Sequence, residues 1–268
     1  MEPVSIIFIS CLVLGLVVGL LAGMLGIGGG LIIVPILSYL LIHFAGMTID
    51  NVMPVAVATS LSTIIFTGLS SASAHYRLGN MNGTIVGYTG LGIAMGAVIG
   101  AQLASYMSGA WLKNIFAAFV IVIALQMLFG KQKASGNNAS PIMLASIGAV
   151  TGVICALMGI GGGALLVPAL VWFNIDIRRA IGCAAFGGLI VAIFGTVSFV
   201  IAGWNMPDLP PGSVGYVFVP ATLGIVATSV FTASIGAKVG QKVNTKVLKA
   251  ILACLLVVVS IKMIAGLE

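Results

Sequence analysis

Two glycine-rich motifs, one in each half of the chain, are the residues whose type and spacing most directly suggest chemistry. Both read Gly-Ile-Gly-Gly-Gly, at residues 26–30 and 159–163, and both lie inside long apolar stretches. Glycines that interrupt a membrane helix leave backbone N–H groups free at the start of the next helix. Such an N-terminus carries partial positive charge and can hold an anion without a lysine. The candidate ligands are the amides of Gly26, Gly28, Gly29, Gly30, Gly159, Gly161, Gly162 and Gly163.

Other functions of glycine-rich sequences fit these motifs less well. A phosphate-binding P-loop requires Lys followed by Ser or Thr after the last glycine, whereas apolar residues follow both motifs here. A dinucleotide fingerprint requires a different glycine spacing and a strand before the first glycine. Close packing of helices through small residues is the remaining alternative, and the sequence leaves it open.

Hydroxyl side chains in the first half could complete such a site. The third apolar segment contains Ala58-Thr59-Ser60, and the hydroxyl groups of Thr59 and Ser60 could donate hydrogen bonds to an anion. Such hydroxyls also bond to the preceding turn or to a neighbouring helix, so both roles stay open at this stage. In the second half, Cys183 stands at the position that corresponds to Thr59, which predicts an asymmetric site.

The amino-acid composition indicates whether these residues lie in water or in a lipid bilayer. Of 268 residues, 60% are hydrophobic and only 6% are charged, whereas about 25% of the residues in a soluble domain are charged. So few polar residues cannot cover a soluble surface, and a disordered chain would show the opposite bias. The chain is therefore predicted to be an all-α polytopic membrane protein, because helices satisfy their own backbone hydrogen bonds in lipid.

The same residues exclude several functional classes. No basic stripe interleaved with aromatic residues is present, so nucleic-acid binding is not expected. The four cysteines form no C-x-x-C pair, no H-E-x-x-H motif occurs, and no Asp or Glu is clearly placed within an apolar segment. We therefore expect no catalytic residues, no metal, no cofactor and no enzyme activity.

The two halves of the chain are related in sequence. Residues 19–38 and 152–171 are identical at nine of twenty positions, at an offset of 133. Each half contains five apolar segments, and a polar linker at residues 131–141 separates the halves. We therefore predict a first repeat at residues 1–130 and a second at residues 142–268. The total is 8–10 transmembrane helices, because the glycine-broken segments 1–2 and 6–7 are either full spans or re-entrant hairpins.

The basic residues predict how the chain is oriented. If each half crosses the membrane an odd number of times, nine of the eleven Lys and Arg residues fall on one side, Lys113 falls on the other and Lys262 lies inside an apolar segment. If each half crossed four times, the division would be seven against three. The positive-inside rule identifies the crowded side as the cytoplasm, so both termini are expected outside. An odd number of crossings also makes the second repeat inverted relative to the first. The net charge of +6 thus reports orientation and not the ligand.

The paired motifs resemble those of the sulfite exporter TauE/SafE family of membrane transporters, also called the TSUP family. The matching residues are Gly26, Gly28–Gly30 and Pro35 in the first half and Gly159, Gly161–Gly163 and Pro168 in the second, and Ala58-Thr59-Ser60 resembles a further family pattern. The resemblance covers essentially the whole chain. It implies movement of sulfur-containing anions such as sulfite, sulfoacetate or another organosulfonate. Cys183 and Ala184 differ from the Thr-Ser pair that is often found at this position in the second half of the sequence in this family.

We therefore predict a secondary transporter that moves a small anion across the cytoplasmic membrane of a prokaryote by alternating access of its inverted halves. An anion channel with the glycine motifs as its filter is the alternative. The expected binding residues are the eight motif glycines with Thr59, Ser60 and Cys183. The expected partners are the anion and the lipid bilayer. Coupling to protons or other ions and assembly as a homodimer are further possibilities that the sequence leaves open.

Overall fold

The computed structural model describes residues 3–25, 28–129 and 140–240, and these ranges contain nine helices and one short strand pair. The helices are α1 (Pro3–Leu25), α2 (Gly30–Ala45), α3 (Ile49–Arg77), α4 (Gly83–Tyr106), α5 (Gly109–Phe129), α6 (Pro141–Met158), α7 (Gly163–Trp172), α8 (Ile177–Ala202) and α9 (Val219–Gly240). Strands β1 (Ser213–Val214) and β2 (Val217–Phe218) pair in antiparallel fashion just before α9.

Five of the described helices are long and apolar enough to cross a membrane. These spans are Val4–Ala22, Asp50–Arg77, Gly83–Tyr106, Pro141–Met158 and Arg178–Ala202. The structure also contains shorter apolar helices, and α2 and α7 are two of these. The predicted all-α polytopic membrane protein is therefore confirmed. Gly26, most of the predicted linker and the last apolar segment lie outside the described residues.

The helix starts differ in how their first amides are satisfied. Side chains cap three helices: Asn82 accepts from the first turn of α4, Ser140 from that of α6, and Asp176 from that of α8. Such caps satisfy amides that have no partner within the helix. In contrast, α2 and α7 follow Gly29 and Gly162, which have no side chain that could cap them. These two helix starts are the glycine motifs.

Glycine faces let two pairs of helices pack closely, and in both pairs the helices run parallel. In the pair of α1 and α9, a side chain at Gly15 would overlap Ile225, and one at Gly19 would overlap Ser229. The residue numbers rise together along both helices, so the two chains have the same direction. Small residues allow this approach, as is usual between helices in membranes.

The pair of α4 and α6 is built in the same way. A side chain at Gly96 would overlap the carbonyl group of Ala149, and one at Gly100 would overlap Val153. Thus α1, which begins the first half of the chain, packs along α9 of the second half. In the same way α6, which begins the second half, packs along α4 of the first half.

The central pair, α3 and α8, has the opposite arrangement. Gly195 of α8 faces Leu61 of α3, whereas Leu189 lies against Gly68. The residue numbers rise in one helix as they fall in the other, so α3 and α8 are antiparallel. The buried part of α3 is the centre of the bundle, since α2, α5, α8 and α9 all pack on it.

The charged residues of the described chain divide between the two ends of the bundle. The Asp50 carboxylate accepts a hydrogen bond from the Gly109 amide at 3.1 Å, so α3 and α5 begin at the same end. Lys113 lies in the first turns of α5 and therefore also at that end. Arg77, which ends α3, and Arg178 and Arg179, which begin the antiparallel α8, lie at the opposite end.

Candidate functional site

The two glycine motifs meet in the interior of the protein. A Cβ atom on Gly28 would lie 3.2 Å from the Cα atom of Gly161, and one on Gly30 would overlap the carbonyl oxygen of Gly159. Gly28 and Gly29 both have φ of +78°, and Gly159 has φ of +65°. Glycine is therefore required here for two reasons: the backbone is left-handed and the two turns touch. We call this meeting point the glycine contact, formed by residues 28–30 and 159–163.

The glycine contact lies near the middle of the central helix pair. The Cβ position of Gly28 is 3.8 Å from a methyl group of Ile64, and that of Gly162 is 3.0 Å from the amide nitrogen of Gly188. Ile64 lies near the middle of α3, which has 29 residues, and Gly188 near the middle of α8, which has 26. The contact is thus about equally far from both ends of these helices.

The amide groups at the glycine contact have few acceptors. We call residues 28–30 the first turn and residues 159–163 the second turn. In the second turn, the first helical hydrogen bonds are those that the Leu165 and Leu166 amides donate to the Gly162 carbonyl, at 3.3 and 2.9 Å. In the first turn, Ile32 and Ile33 donate to Gly29, at 3.0 and 3.1 Å. The amides of residues 28–31 and 161–164 have no acceptor among the residues that the structure describes.

Buried backbone N–H groups are almost always paired, so amides at such a place favour an acceptor. Gly29 and Gly30 are buried, as are all three glycines that end the second motif. Two buried helix N-termini therefore present main-chain donors at the point where the motifs meet. Such donors can bind an anion.

Ser60 holds the second turn in place. Its hydroxyl group donates a hydrogen bond of 2.8 Å to the carbonyl oxygen of Gly159, and the Ser60 side chain is fully buried. The only proton of this hydroxyl is thereby used within the protein. Ser60 is consequently a positioning residue in this arrangement, and its hydroxyl has only acceptor capacity left.

Removing this hydrogen bond should loosen the turn. We expect Ser60→Ala to lower the free energy of unfolding by about 1–3 kcal/mol, because the Gly159 carbonyl would stay buried without a partner. Thermal unfolding in detergent measures this change. Ser105→Ala is the matched control, since the Ser105 hydroxyl only bonds to Gln102 of its own helix. Equal unfolding temperatures of the two variants would contradict the role given to Ser60.

Thr59 has the reverse hydrogen-bonding pattern. Its Oγ1 atom accepts a hydrogen bond of 2.9 Å from the backbone amide of Phe218, and the residue is 0% exposed. No described residue accepts the hydroxyl proton of Thr59. A hydroxyl group can both accept and donate, so Thr59 retains a buried donor that is not used within the described protein.

Cys183 is buried and does not lie beside Thr59. The antiparallel pairing of α3 and α8 places Cys183 level with Ser73. That position is about 14 residues from Thr59, or roughly 20 Å along the helix axis. The structure thus joins Ser60 to the glycine contact, places Thr59 against Phe218 and separates Cys183 from Thr59.

The turn before α9 contributes contacts that the sequence analysis missed. Phe218 in β2 is fully buried, and Thr222 in the next turn shares a hydrogen bond of 2.6 Å with Ser62. Tyr216 packs edge-on against Phe199, and burial raises the pKa of the Tyr216 phenol, which therefore stays protonated. Phe218 contacts Thr59 through its main-chain amide, so no side-chain motif in the sequence could have indicated this contact.

Other parts of the described chain offer less for an anion. A groove of about 720 Å³ runs between α4 and α8, but glycines and apolar side chains form most of its lining. Among the described residues, no three His, Cys, Asp or Glu side chains lie close enough to hold a metal ion. The glycine contact is therefore the strongest candidate site.

Comparison with known proteins agrees with a membrane protein. A "Probable membrane transporter protein" of Haemophilus influenzae is 38% identical over 255 residues, which cover 94% of this chain and 96% of that protein. The "Probable membrane transporter protein YunE" of Bacillus subtilis is 31% identical over 220 residues, or 73% of this chain and 79% of the relative. No solved structure matches the chain.

The family assignment rests on a match along nearly the whole chain. The family model described as "Sulfite exporter TauE/SafE" matches residues 11–263, a range that includes both glycine motifs and Thr59, Ser60 and Cys183. The relatives named above are transporters and not enzymes. The chain therefore belongs to the TauE/SafE sulfite exporter family of membrane transporters.

Proposed function

We propose that this membrane protein is a secondary transporter that moves a small sulfur-containing anion by alternating access. The observation that carries the proposal is the glycine contact, where two buried helix N-termini present amides that lack acceptors among the described residues. The donors are main-chain groups from both halves of the chain. A substrate held between them would therefore touch both halves at once.

Main-chain donors suit an anion that has to be released again. Aligned peptide dipoles favour negative charge at a helix N-terminus, and their effect is stronger in a low-dielectric interior than in water. They carry no full positive charge, so no ion pair has to be broken when the anion leaves. A site for conduction or transport has to bind the anion well enough for it to enter, but weakly enough for it to leave again.

The helix directions support a mechanism with two exchanging halves. The pairs α1–α9 and α4–α6 are each parallel, and α3 and α8 are antiparallel. Such an arrangement suits inverted repeats at residues 1–130 and 142–268, joined by a linker at 131–141, which we retain as a proposal. Inverted repeats allow each half to adopt the conformation of the other, so that access alternates between the two sides.

The charge distribution supports an orientation. Arg77, Arg178 and Arg179 lie at one end of the bundle, and Lys113 lies at the other with Asp50. We propose that the arginine end faces the cytoplasm and that both termini lie outside the cytoplasmic membrane. Under this orientation Cys183 lies toward the cytoplasm and Thr59 toward the outside.

The family description supports sulfite or an organosulfonate such as sulfoacetate as the substrate. The test is uptake into proteoliposomes that contain the purified protein, with radiolabelled sulfite, sulfoacetate, thiosulfate, sulfate and lactate. We expect saturable uptake of at least one sulfur-containing anion and little uptake of lactate. Absence of saturable uptake for every anion in the panel would overturn the proposal.

Counterflow separates a transporter from the alternative, an anion channel with the glycine contact as its filter. A transporter preloaded with unlabelled anion should take up labelled anion faster, whereas a channel should give no trans-stimulation and should pass measurable current. A pH gradient imposed on the same vesicles tests coupling to protons. Dependence of uptake on that gradient would establish proton coupling, and its absence would leave anion exchange or another coupling ion.

A further inference from the structure

We infer that the groove between α4 and α8 binds one anionic phospholipid. An acyl chain lies along the groove, and the headgroup lies at the end of the bundle that carries Arg77, Arg178 and Arg179. The site is separate from the glycine contact and exists whether or not the proposed function is correct. Three properties of the described residues lead to it: the shape of the groove, its position along the membrane normal and the charges at its mouth.

The groove has the shape and lining of a site for an apolar chain. On the side of α4 its lining includes Gly87 and Gly90, and nothing lies within 4 Å of the Cβ position of Gly87. On the side of α8 it is lined by Phe186, Ile190 and Phe194. Its volume of about 720 Å³ lies within the range of roughly 300–1,000 Å³ for sites that hold small ligands. A larger side chain at Gly87 would therefore fill the groove without striking the protein.

The groove is about as long as one leaflet of a bilayer. On α4 the lining begins at the first residue of the helix and ends at Ala94, a distance of roughly 16 Å along the helix axis. Half of a hydrocarbon core of ~30 Å is ~15 Å. On α8 the lining lies around the level of Gly188, which touches the glycine contact near the middle of that helix. The groove thus runs from the arginine end to about the middle of the membrane.

The walls of the groove are open on the outer surface of the bundle. Tyr88 and Leu91 of α4 are 41% and 69% exposed, and Phe194 of α8 is 44% exposed. Both helices are long and apolar enough to cross a membrane. Apolar side chains that are exposed on such helices contact acyl chains, so lipid is the molecule that reaches this groove.

Arginines lie at the mouth of the groove. A Cβ atom on Gly182 of α8 would overlap the carbonyl oxygen of Asn80, which lies in the turn before α4. Arg77 and Arg179 each come three residues before this contact, so both are at the end where the groove begins. Both residues are exposed, and no described acidic side chain forms an ion pair with them. Arg179 is seven residues before Phe186, which places the two on the same face of α8.

These charges favour an anionic lipid over other occupants. Guanidinium groups bind phosphate oxygens through paired hydrogen bonds, and basic clusters at a membrane surface attract anionic headgroups. A second copy of this chain fits less well. In a symmetric dimer both copies have the same orientation in the membrane, so the arginines of the second copy would lie at the same end and repel these. A lipid with a net negative charge instead neutralises them.

Native mass spectrometry of the full chain in detergent tests this site. Delipidated protein is titrated with phosphatidylglycerol and, separately, with neutral phosphatidylcholine. We expect one phosphatidylglycerol per chain to bind at least tenfold more tightly than phosphatidylcholine. Arg178→Gln combined with Arg179→Gln should weaken phosphatidylglycerol binding roughly thirtyfold, about fivefold for each arginine, and abolish the preference. Gly87→Leu should abolish binding of both lipids, because the new side chain occupies the groove.

Each variant has a matched control. Lys113→Gln removes a cation at the opposite end of the bundle, and Ala118→Leu adds a similar bulk on an exposed part of α5. Both should bind phosphatidylglycerol as the wild type does. Equal affinity of the wild type for the two lipids, or undiminished binding by Gly87→Leu, would overturn the site. A dimer that Gly87→Leu dissociates would also overturn it, since a second copy would then cover the groove. Size-exclusion profiles show that each variant is folded.

Discussion

Replacing Gly30 with alanine is expected to reduce anion uptake to the level of empty vesicles. The added methyl group would overlap the carbonyl oxygen of Gly159, and the backbone of Ile160 lies only 3.0 Å away. Backbone cannot rotate aside as a side chain can, so the two turns have to separate and the converging amides lose their common site. Initial rates of labelled sulfite uptake in proteoliposomes measure the loss.

Gly83→Ala is the matched control for this experiment. Nothing lies within 4 Å of the Cβ position of Gly83, and the residue begins α4, far from the glycine contact. The control should transport at the wild-type rate. Substantial uptake by a folded Gly30→Ala variant would show that the close approach of the turns is not needed for transport, and the proposed site would then be wrong.

The second large effect is expected on stability, for Gly96→Ala at the pair of α4 and α6. A methyl group at Gly96 would overlap the carbonyl oxygen of Ala149 and crowd the amide of Val153 at 2.9 Å. Overpacking of this kind costs about 3 kcal/mol when the backbone itself has to move. The unfolding temperature in detergent should fall by roughly 5–10 °C.

Gly87→Ala, in the same helix, should have the opposite effect. No atom lies within 4 Å of its Cβ position, so only the higher helix propensity of alanine acts, and it favours the helix by up to about 1 kcal/mol. An unfolding temperature of Gly96→Ala at or above that of Gly87→Ala would contradict parallel packing of α4 and α6 through their glycine faces.

The sequence was sufficient to predict the class of protein and the location of its broken helices. Both predictions depend on local signals: the apolar composition requires a membrane, and two identical glycine runs interrupt equivalent apolar segments. The sequence also predicted that Cys183 corresponds to Thr59. It did not indicate that the two residues lie far apart, because their separation follows from the antiparallel packing of α3 and α8.

The partners of the hydroxyl groups could not be predicted, since they depend on contacts between distant parts of the chain. Ser60 bonds to a residue 99 positions away, and Thr59 to one 159 positions away. Both partners are main-chain groups, which every residue possesses. Spacing and residue type therefore carry no information about them, and a sequence reading treats Thr59 and Ser60 as equal although the structure gives them different tasks.

The glycine contact also limits how such a protein can change during evolution. Where recognition depends on side chains, a new substrate can be accommodated by substituting one of them. In the proposed site the central donors are peptide groups. A side chain at Gly30 would collide with the opposite turn, and one at Gly28 would strain a left-handed backbone. Under the proposed function, a change of substrate would therefore have to come from substitutions at positions that flank the glycine contact.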